Sequence, residues 1–181
     1  MSESISIERL ALEAREQQPL EYELELTLGG VGFAVASNSR ALIERLSAYL
    51  RSYTEPARGP ARFRLAAIQL SEPPSFDARF ADWPREADKA GRKEEFYDTH
   101  DGRIIRKVRT GMQFLVSESD LVALGDCEKN ENQIINFINT QYIRELVQRG
   151  YLLCHAAGLV NRQGRGLGMA GRSGGGKSTL M

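Results

Sequence analysis

The sequence predicts an α/β protein in which a mixed β-sheet is packed by helices. Three observations carry that prediction. Short runs of alternating apolar and polar residues, separated by glycine, proline and Asp-Gly turn signals, recur between residues 21 and 116 and read as strands. Residues 130–149 present one wide apolar helical face. Beyond it, two apolar runs separated only by Asn161 to Gly166 lead into a glycine-rich loop. A connection that short cannot hold a parallel crossover, so these two strands should pair antiparallel and the sheet under the loop should be mixed.

Taken in order, Ile7, Leu10, Ala11 and Ala14 recur at helical spacing and Pro19 closes the segment, which predicts a short amphipathic helix over residues 4–17. Tyr22, Leu24 and Leu26 then alternate with Glu23, Glu25 and Thr27, and Gly29-Gly30 permits a turn before Phe33 and Val35. This is a hairpin with one buried face. Ser37, Asn38 and Ser39 offer caps for a helix whose stripe is Leu42, Ile43, Leu46, Tyr49, Leu50 and Tyr53, ending near Thr54. Pro56, Gly59 and Pro60 break the chain before a strand carrying Phe63, Leu65, Ala67 and Ile68.

Residues 71–92 hold Pro73, Pro74 and Pro84 and read as a long connection tacked to the surface by Phe76, Phe80 and Trp83. Asp101-Gly102, flanked by residues 95–99 and 103–108, suits a tight hairpin turn in which both central residues take positive φ. Thr110-Gly111 turns the chain into residues 112–116, giving a three-stranded meander. Arg103, Arg106, Lys107 and Arg109 cluster there, but nearby acids balance them and a solvated face is the simpler reading. Asn130 and Gln133 form a capping-box pattern at the head of the long helix, with Ile134, Ile135, Phe137, Ile138, Tyr142, Ile143, Leu146 and Val147 on its face and Gly150 at its end. Residues 151–160 should be a buried strand packed on that helix, with Asn161 and Gly164 turning the chain into residues 167–170.

Composition narrows the function classes. In 181 residues, 41% of them hydrophobic, there is enough apolar material for one sizeable core or two small ones. Lys plus Arg and Asp plus Glu both number 24, so no net field favours nucleic acid or an acidic membrane, and neither is expected as a partner. Cys127 and Cys154 belong to no CxxC pair, which argues against a zinc ribbon or disulfide framework and for reduced thiols. Glu3 and Glu8 interrupt any signal-peptide core, no run approaches a membrane span, and a cytoplasmic location is expected.

Gly171-Arg172-Ser173-Gly174-Gly175-Gly176-Lys177-Ser178 fits the phosphate-binding loop pattern of a glycine, four residues, then Gly-Lys-Ser. Its glycines let successive backbone N–H groups close on a polyphosphate without a Cβ in the way. Lys177 would reach the β- and γ-phosphates, Ser178 would offer its hydroxyl to Mg²⁺, and a helix opening at Lys177 would aim its positive end at the same anion. A Gly/Ser linker is the plain alternative, but a linker does not require an apolar run before it or Lys-Ser at that spacing. Only Thr179, Leu180 and Met181 follow, so the expectation is a protein shortened at its C-terminus, without the second acidic motif that holds Mg²⁺ and with weak nucleotide affinity.

The run Leu153 to Val160, a short turn, then Gly168-Met169-Ala170 and the loop resembles the nucleotide-binding segment of the HPr kinase/phosphorylase superfamily, with the HprK-related kinase B proteins as the nearest likeness. The specific similarity covers roughly residues 130–181. It implies a P-loop kinase of the HPr kinase/PEP carboxykinase type, incomplete at the C-terminus, with residues 1–128 as an N-terminal α+β lobe and 129–181 as the start of the kinase domain. It also implies ATP and Mg²⁺ held by Gly171, Ser173, Gly174, Gly175, Gly176, Lys177, Ser178 and Thr179, with Ser178 on the metal. Lys177 and His155 become the catalytic candidates, the latter matching a strand histidine beside the phosphates; a core histidine bonded to backbone is an equal alternative. His100 has no such support. The implied reaction moves the ATP γ-phosphate to a hydroxyl of a protein serine or a small metabolite, and self-association into a homo-oligomer stays open. The family's downstream aspartates have no counterpart here. An ABC-type ATPase shares the loop pattern but carries it near its N-terminus. A non-catalytic remnant or an interaction module is the third reading.

Overall fold

A computed structural model describes residues 5–53, 55, 59–76, 78–83, 93–154 and 156–171. The chain divides into two compact units, Met1–Tyr142 and Ile143–Met181. The first unit holds helices α1 (Ile7–Gln17) and α2 (Arg40–Leu50), strands β1 (Tyr22–Leu28), β2 (Val31–Ser37), β3 (Phe63–Gln69), β4 (Ala81–Asp82), β5 (Glu94–Asp98), β6 (Gly102–Lys107), β7 (Gln113–Ser117) and β8 (Leu121–Gly125), and the first turns of α3 (Glu131–Gln148). The motif-based boundary at 128/129 assigns all of α3 to the second domain, whereas its apolar first half lies in the first unit's core.

The α/β class holds: eight strands form one mixed sheet in the order β1-β2-β3-β8-β7-β6-β5-β4. β3 runs parallel to β2 and to β8, and the other pairings are antiparallel. Crossover through α2 makes the β2–β3 pair parallel, as a helical connection allows. From β4 to β8 the chain is a five-stranded meander rather than three. β4 sits inside the expected long connection, and β8 arises from Leu121 to Gly125, to which the sequence reading assigns nothing. That run is apolar on every residue because β8 lies in the middle of the sheet and is covered on both faces.

Alternation sorts side chains between two cores. α1 covers one face with Ile7 and Ala11, against Ala66, Ile68, Ile104, Leu115, Val122 and Leu124. α2 and α3 cover the other with Leu42, Leu46, Leu50, Ile134, Phe137 and Ile138, against Val35, Leu65, Phe114 and Ala123. Ser6 and Ser39 cap α1 and α2, their hydroxyls accepting from the N–H groups of Arg9 and Leu42. Tyr49 and Tyr53, placed on the α2 stripe by spacing, are exposed: the buried stripe is Leu42, Leu46 and Leu50, and Tyr53 lies beyond the helix, which ends at Leu50. Gly29 and Gly30 take φ of 50° and 78°, making the expected two-residue turn between Leu28 and Val31.

The Asp101-Gly102 turn is a correction. The β5–β6 pair is antiparallel as expected, but neither residue has positive φ, and Thr99 to Gly102 form a wider loop closed by the Thr99 N–H on the Gly102 carbonyl oxygen at 2.9 Å. Asp101 is committed elsewhere. Its carboxylate accepts from the N–H groups of Ile7 and Glu8, both at 3.0 Å, and from the hydroxyls of Ser6 and Thr99, both at 2.8 Å. It therefore caps α1 from 94 residues away. Gly102 is required for space instead of φ, since a Cβ would strike the Val116 carbonyl oxygen and lie 3.0 Å from Ile7 Cγ1.

The capping box at α3 is also different. Asn130 donates its amide to the Asp126 carbonyl oxygen at 2.8 Å and accepts from the Gln133 side chain, so the two residues bond side chain to side chain instead of reciprocally to backbone. Phe76 and Phe80 do pack on the α1-side core, and Trp83 meets Phe96 edge-on at 5.2 Å.

Candidate functional site

In the second unit, Gly150 has φ 85° and ends α3. The Tyr151 N–H bonds to the Leu146 carbonyl oxygen and the Gly150 N–H to that of Val147, both at 3.0 Å, so the last carbonyls are satisfied as a left-handed glycine cap requires. Two strands follow, β9 (Ala156–Val160) and β10 (Gly166–Ala170). They are antiparallel, as the short connector demands, with register from Gly166 opposite Val160 to Ala170 opposite Ala156. Asn161 organises the turn: its side-chain oxygen accepts from the N–H groups of Gln163 and Arg165, and Gly164 takes φ 77°.

Two expectations about this hairpin are overturned. Residues 151–154 are not strand, and the apolar side chains are exposed rather than buried against the helix: Leu152 is 90% accessible, Val160 74% and Leu167 59%. The hairpin is also a separate, purely antiparallel two-stranded sheet instead of part of a mixed one. An unbroken apolar run signals a demand for cover, and it does not say which element supplies it.

Of the sequence-predicted site residues, Gly171 is described, exposed and immediately after β10. His155, Ser173, Gly174, Gly175, Gly176, Lys177, Ser178 and Thr179 lie outside the described residues. Glycines face each other across the hairpin at Gly158 and Gly168, with small Ala156 and Ala170 at its base. A Cβ at Gly158 or Gly168 would meet nothing within 4 Å, so these glycines are not forced by close packing.

Of the four basic residues clustered on the meander, Arg103, Arg106 and Lys107 are balanced by acids as expected, and Arg109 has no acidic partner among the described residues. Arg103 pairs with Asp98, Arg106 with Glu95 and Lys107 with Glu94. His100 is solvent-exposed on the β5–β6 loop.

A polar network that sequence reasoning missed sits where β2, β3 and β8 end, the edge at which open α/β sheets commonly bind ligands. Asn38 accepts from the Gln69 N–H at 2.8 Å and donates to its carbonyl oxygen at 3.1 Å; Gln69 donates to Asp126 and accepts from the Glu128 N–H; Ser39 donates to Glu128 at 2.6 Å. A side-chain bond from Lys129 holds the Asp126 carboxyl below its usual range, against partial desolvation, with further bonds from Gln69 and the Lys129 N–H. These groups satisfy one another, so the network ties the strand ends together. Beside it, burial pushes the Cys127 thiol up to about 12, with the negative charges of Asp126 and Glu128 adding to the effect.

Among the described residues, no group of three or more His, Cys, Asp or Glu side chains could hold a metal, and no helix is long and apolar enough to cross a membrane. Comparison with protein-family models, curated proteins and solved structures yields no match to this chain.

Proposed function

We propose that this chain carries the nucleotide-binding segment of a kinase of the HPr kinase type, acting in the cytoplasm to move the ATP γ-phosphate onto a hydroxyl of a protein or small metabolite. The single observation behind this reading is the order of parts: an antiparallel hairpin with a five-residue turn, then Gly171 and the sequence Arg172 to Thr179. Register supports it further. Ala156 and Ala170 pair at one end of the hairpin, and in the sequence His155 precedes the first and Gly171 follows the second, the two positions that the resemblance assigns to the nucleotide site.

In this reading Gly174 to Gly176 present backbone N–H groups to the phosphates, Lys177 supplies a compact positive charge at the β- and γ-phosphates, and Ser178 and Thr179 complete the hydroxyl set. Mg²⁺, when bound through Ser178, would neutralise charge on the phosphoryl oxygens. His155 stands as the neighbouring group that orients or stabilises the transferring phosphate.

The test is binding of Mg²⁺-ATP to the 181-residue chain, followed by calorimetry at millimolar nucleotide, with Lys177→Ala, Lys177→Arg and His155→Ala beside it. Saturable binding lost in Lys177→Ala is expected. Lys177→Arg should be nearly as damaging, because a planar fork replaces a point donor. His155→Ala should be milder. Undiminished binding in Lys177→Ala, or none in the unaltered chain, rejects the reading. Phosphoryl transfer to an added hydroxyl acceptor, as opposed to ATP hydrolysis alone, separates a kinase from a transport-type ATPase.

A further inference from the structure

The neutrality of the chain is an average over two unlike units. Residues 143–181 hold six Lys or Arg against one acidic residue, Glu145, a formal charge of +5, so the first unit of this neutral chain carries −5. Glu145 is already taken by Arg149, at 2.9 Å. Arg144, Arg162 and Arg165 are exposed and have no acidic partner among the described residues, and the last two sit in the turn that joins β9 to β10. Register places Leu159 opposite Leu167 and Ala157 opposite Met169 on one face of that hairpin, while glycines and alanines fill all but Val160 of the other. Neither leucine is covered.

Unpaired arginines at the tip and uncovered aliphatic side chains behind them ask for an occupant that is anionic and apolar at once. A second copy of this basic unit would meet like charge. Nucleic acid supplies the charge but stacks its bases on aromatic rings, whereas the hairpin presents leucine and valine. An acidic protein would need about 800 Å² on each side for a stable interface, and a hairpin face roughly 17 Å long and two strands wide offers much less. An anionic bilayer sets charged headgroups over acyl chains and requires no complementary shape, so it meets both demands.

We propose that the hairpin of the second unit docks on an anionic phospholipid surface, with Arg162 and Arg165 against the headgroup phosphates and Leu159 and Leu167 entering the boundary beneath them. The strands lie on the membrane and do not cross it. A crossing strand needs about 9–11 residues where these have five each, and an open sheet edge is not tolerated in hydrocarbon. The docking goes beyond the kinase reading and does not depend on the glycine-rich loop.

The experiment is flotation of the 181-residue chain with phosphatidylcholine vesicles, either pure or containing about one third phosphatidylserine. Binding to the mixed vesicles is expected to be at least roughly tenfold tighter than to the pure ones and to weaken as salt is added. Arg162→Gln and Arg165→Gln should each weaken it about fivefold, the factor for one basic side chain at such a surface. Leu167→Ser, at a position 59% exposed where folding does not need the side chain, should weaken it several-fold. Changing Arg40 and Arg64, exposed arginines of the first unit, to Gln should leave it unaltered. No binding, equal binding to both vesicle types, hairpin variants that bind like the parent, or a matching loss at Arg40 and Arg64 overturns the proposal. Two competitors also decide. Release by ATP at constant free Mg²⁺ would move headgroup recognition to the glycine-rich loop, and complete release by a duplex oligonucleotide at equal phosphate concentration would make the surface one for nucleic acid, so either result overturns it.

Discussion

The two units solve the burial problem differently. In the first, most large apolar side chains go inside, with Val31, Leu42, Leu46, Ile134 and Ile138 at 0% exposure, and Leu12, Tyr49, Tyr53 and Val108 are among the exceptions. In the second, Tyr151, Leu152, Leu153, Val160 and Leu167 stand in solvent, at 63%, 90%, 69%, 74% and 59%. The sequences are equally apolar; the difference is in layers. The first unit puts helices on both faces of an eight-stranded sheet, whereas among the described residues the hairpin has no third strand and its apolar side chains no covering element. Hydrophobic stretches thus state how much surface needs cover, and only the arrangement of partners decides whether it is covered.

The two cysteines give the largest expected contrast, since one lies in each unit. Cys127 is 0% exposed, its thiol donates to the Ile68 carbonyl oxygen at 3.4 Å, and burial pushes it up to about 12, so almost no thiolate exists at neutral pH. Cys154 is exposed. Under native conditions an alkylating reagent should modify Cys154 at least roughly a thousandfold faster, because Cys127 must wait for unfolding of a unit worth on the order of 5 kcal/mol or more. Mass spectrometry of peptides over time measures the ratio. Comparable rates would mean that the first unit opens readily and that the contrast fails.

Truncation in the core comes next. Ile138→Ala removes a fully buried side chain from the centre of the α2/α3-side cluster and should cost about 2–5 kcal/mol by denaturant unfolding. Gly102→Ala should destabilise by roughly 1–3 kcal/mol through overpacking, because its new Cβ meets the Val116 carbonyl, a backbone atom that cannot swing aside. A neutral result at Gly102 would show that the β6–β7 edge yields easily.

Much of the local structure was legible in the sequence. Alternation at Tyr22 to Thr27, positive φ at Gly29 and Gly30, the Ser39 cap and the Gly150 stop each depend on interactions within a few residues, and each appears where the sequence indicates. What was not legible depends on distant partners. β8 is five apolar residues between Asp120 and Asp126, and nothing in that run distinguishes a central strand from a buried turn until β3 and β7 flank it. Asp101-Gly102 carries a turn signal, but α1 takes Asp101 as its cap and overrides the turn type. At the candidate sites the same division holds. The glycine-rich loop is a contiguous motif, while the network of Asn38, Gln69, Asp126 and Glu128 gathers residues from separate stretches of the chain and has no sequence signature.

Asp101 also gives a smaller, pH-resolved test. Partial burial works against its charge, but the N–H groups of Glu8 and Ile7 and the hydroxyls of Thr99 and Ser6 outweigh it and hold the carboxyl well below its usual range. A folded-state value below the unfolded one means that the stabilisation is fully present above the ordinary Asp range, near pH 4, and is lost as pH falls through and below it. Asp101→Asn should therefore cost about 1 kcal/mol near neutral pH, as loss of a helix cap does, and the gap between variant and parent should narrow on acidification. A gap that is constant from neutral to acid pH would assign the effect to shape rather than to charge.

The smallest expected effect bears most directly on the comparison between units. Leu152→Ser replaces one of the most apolar side chains with a hydroxyl at a position 90% accessible, so no buried surface is lost and no polar group is forced inside. Its cost should stay within about 0.5 kcal/mol, the range of surface substitutions, while solubility improves because an exposed apolar patch has been reduced. The measurement pairs denaturant unfolding with light scattering over a concentration series. A loss of 2 kcal/mol or more would require a partner surface on Leu152, and a loss that shrinks as the protein is diluted would identify that surface as a second copy of the chain. A near-zero, concentration-independent change leaves the contrast as the burial pattern presents it: equal hydrophobicity in two segments, with stability resting on only one of them.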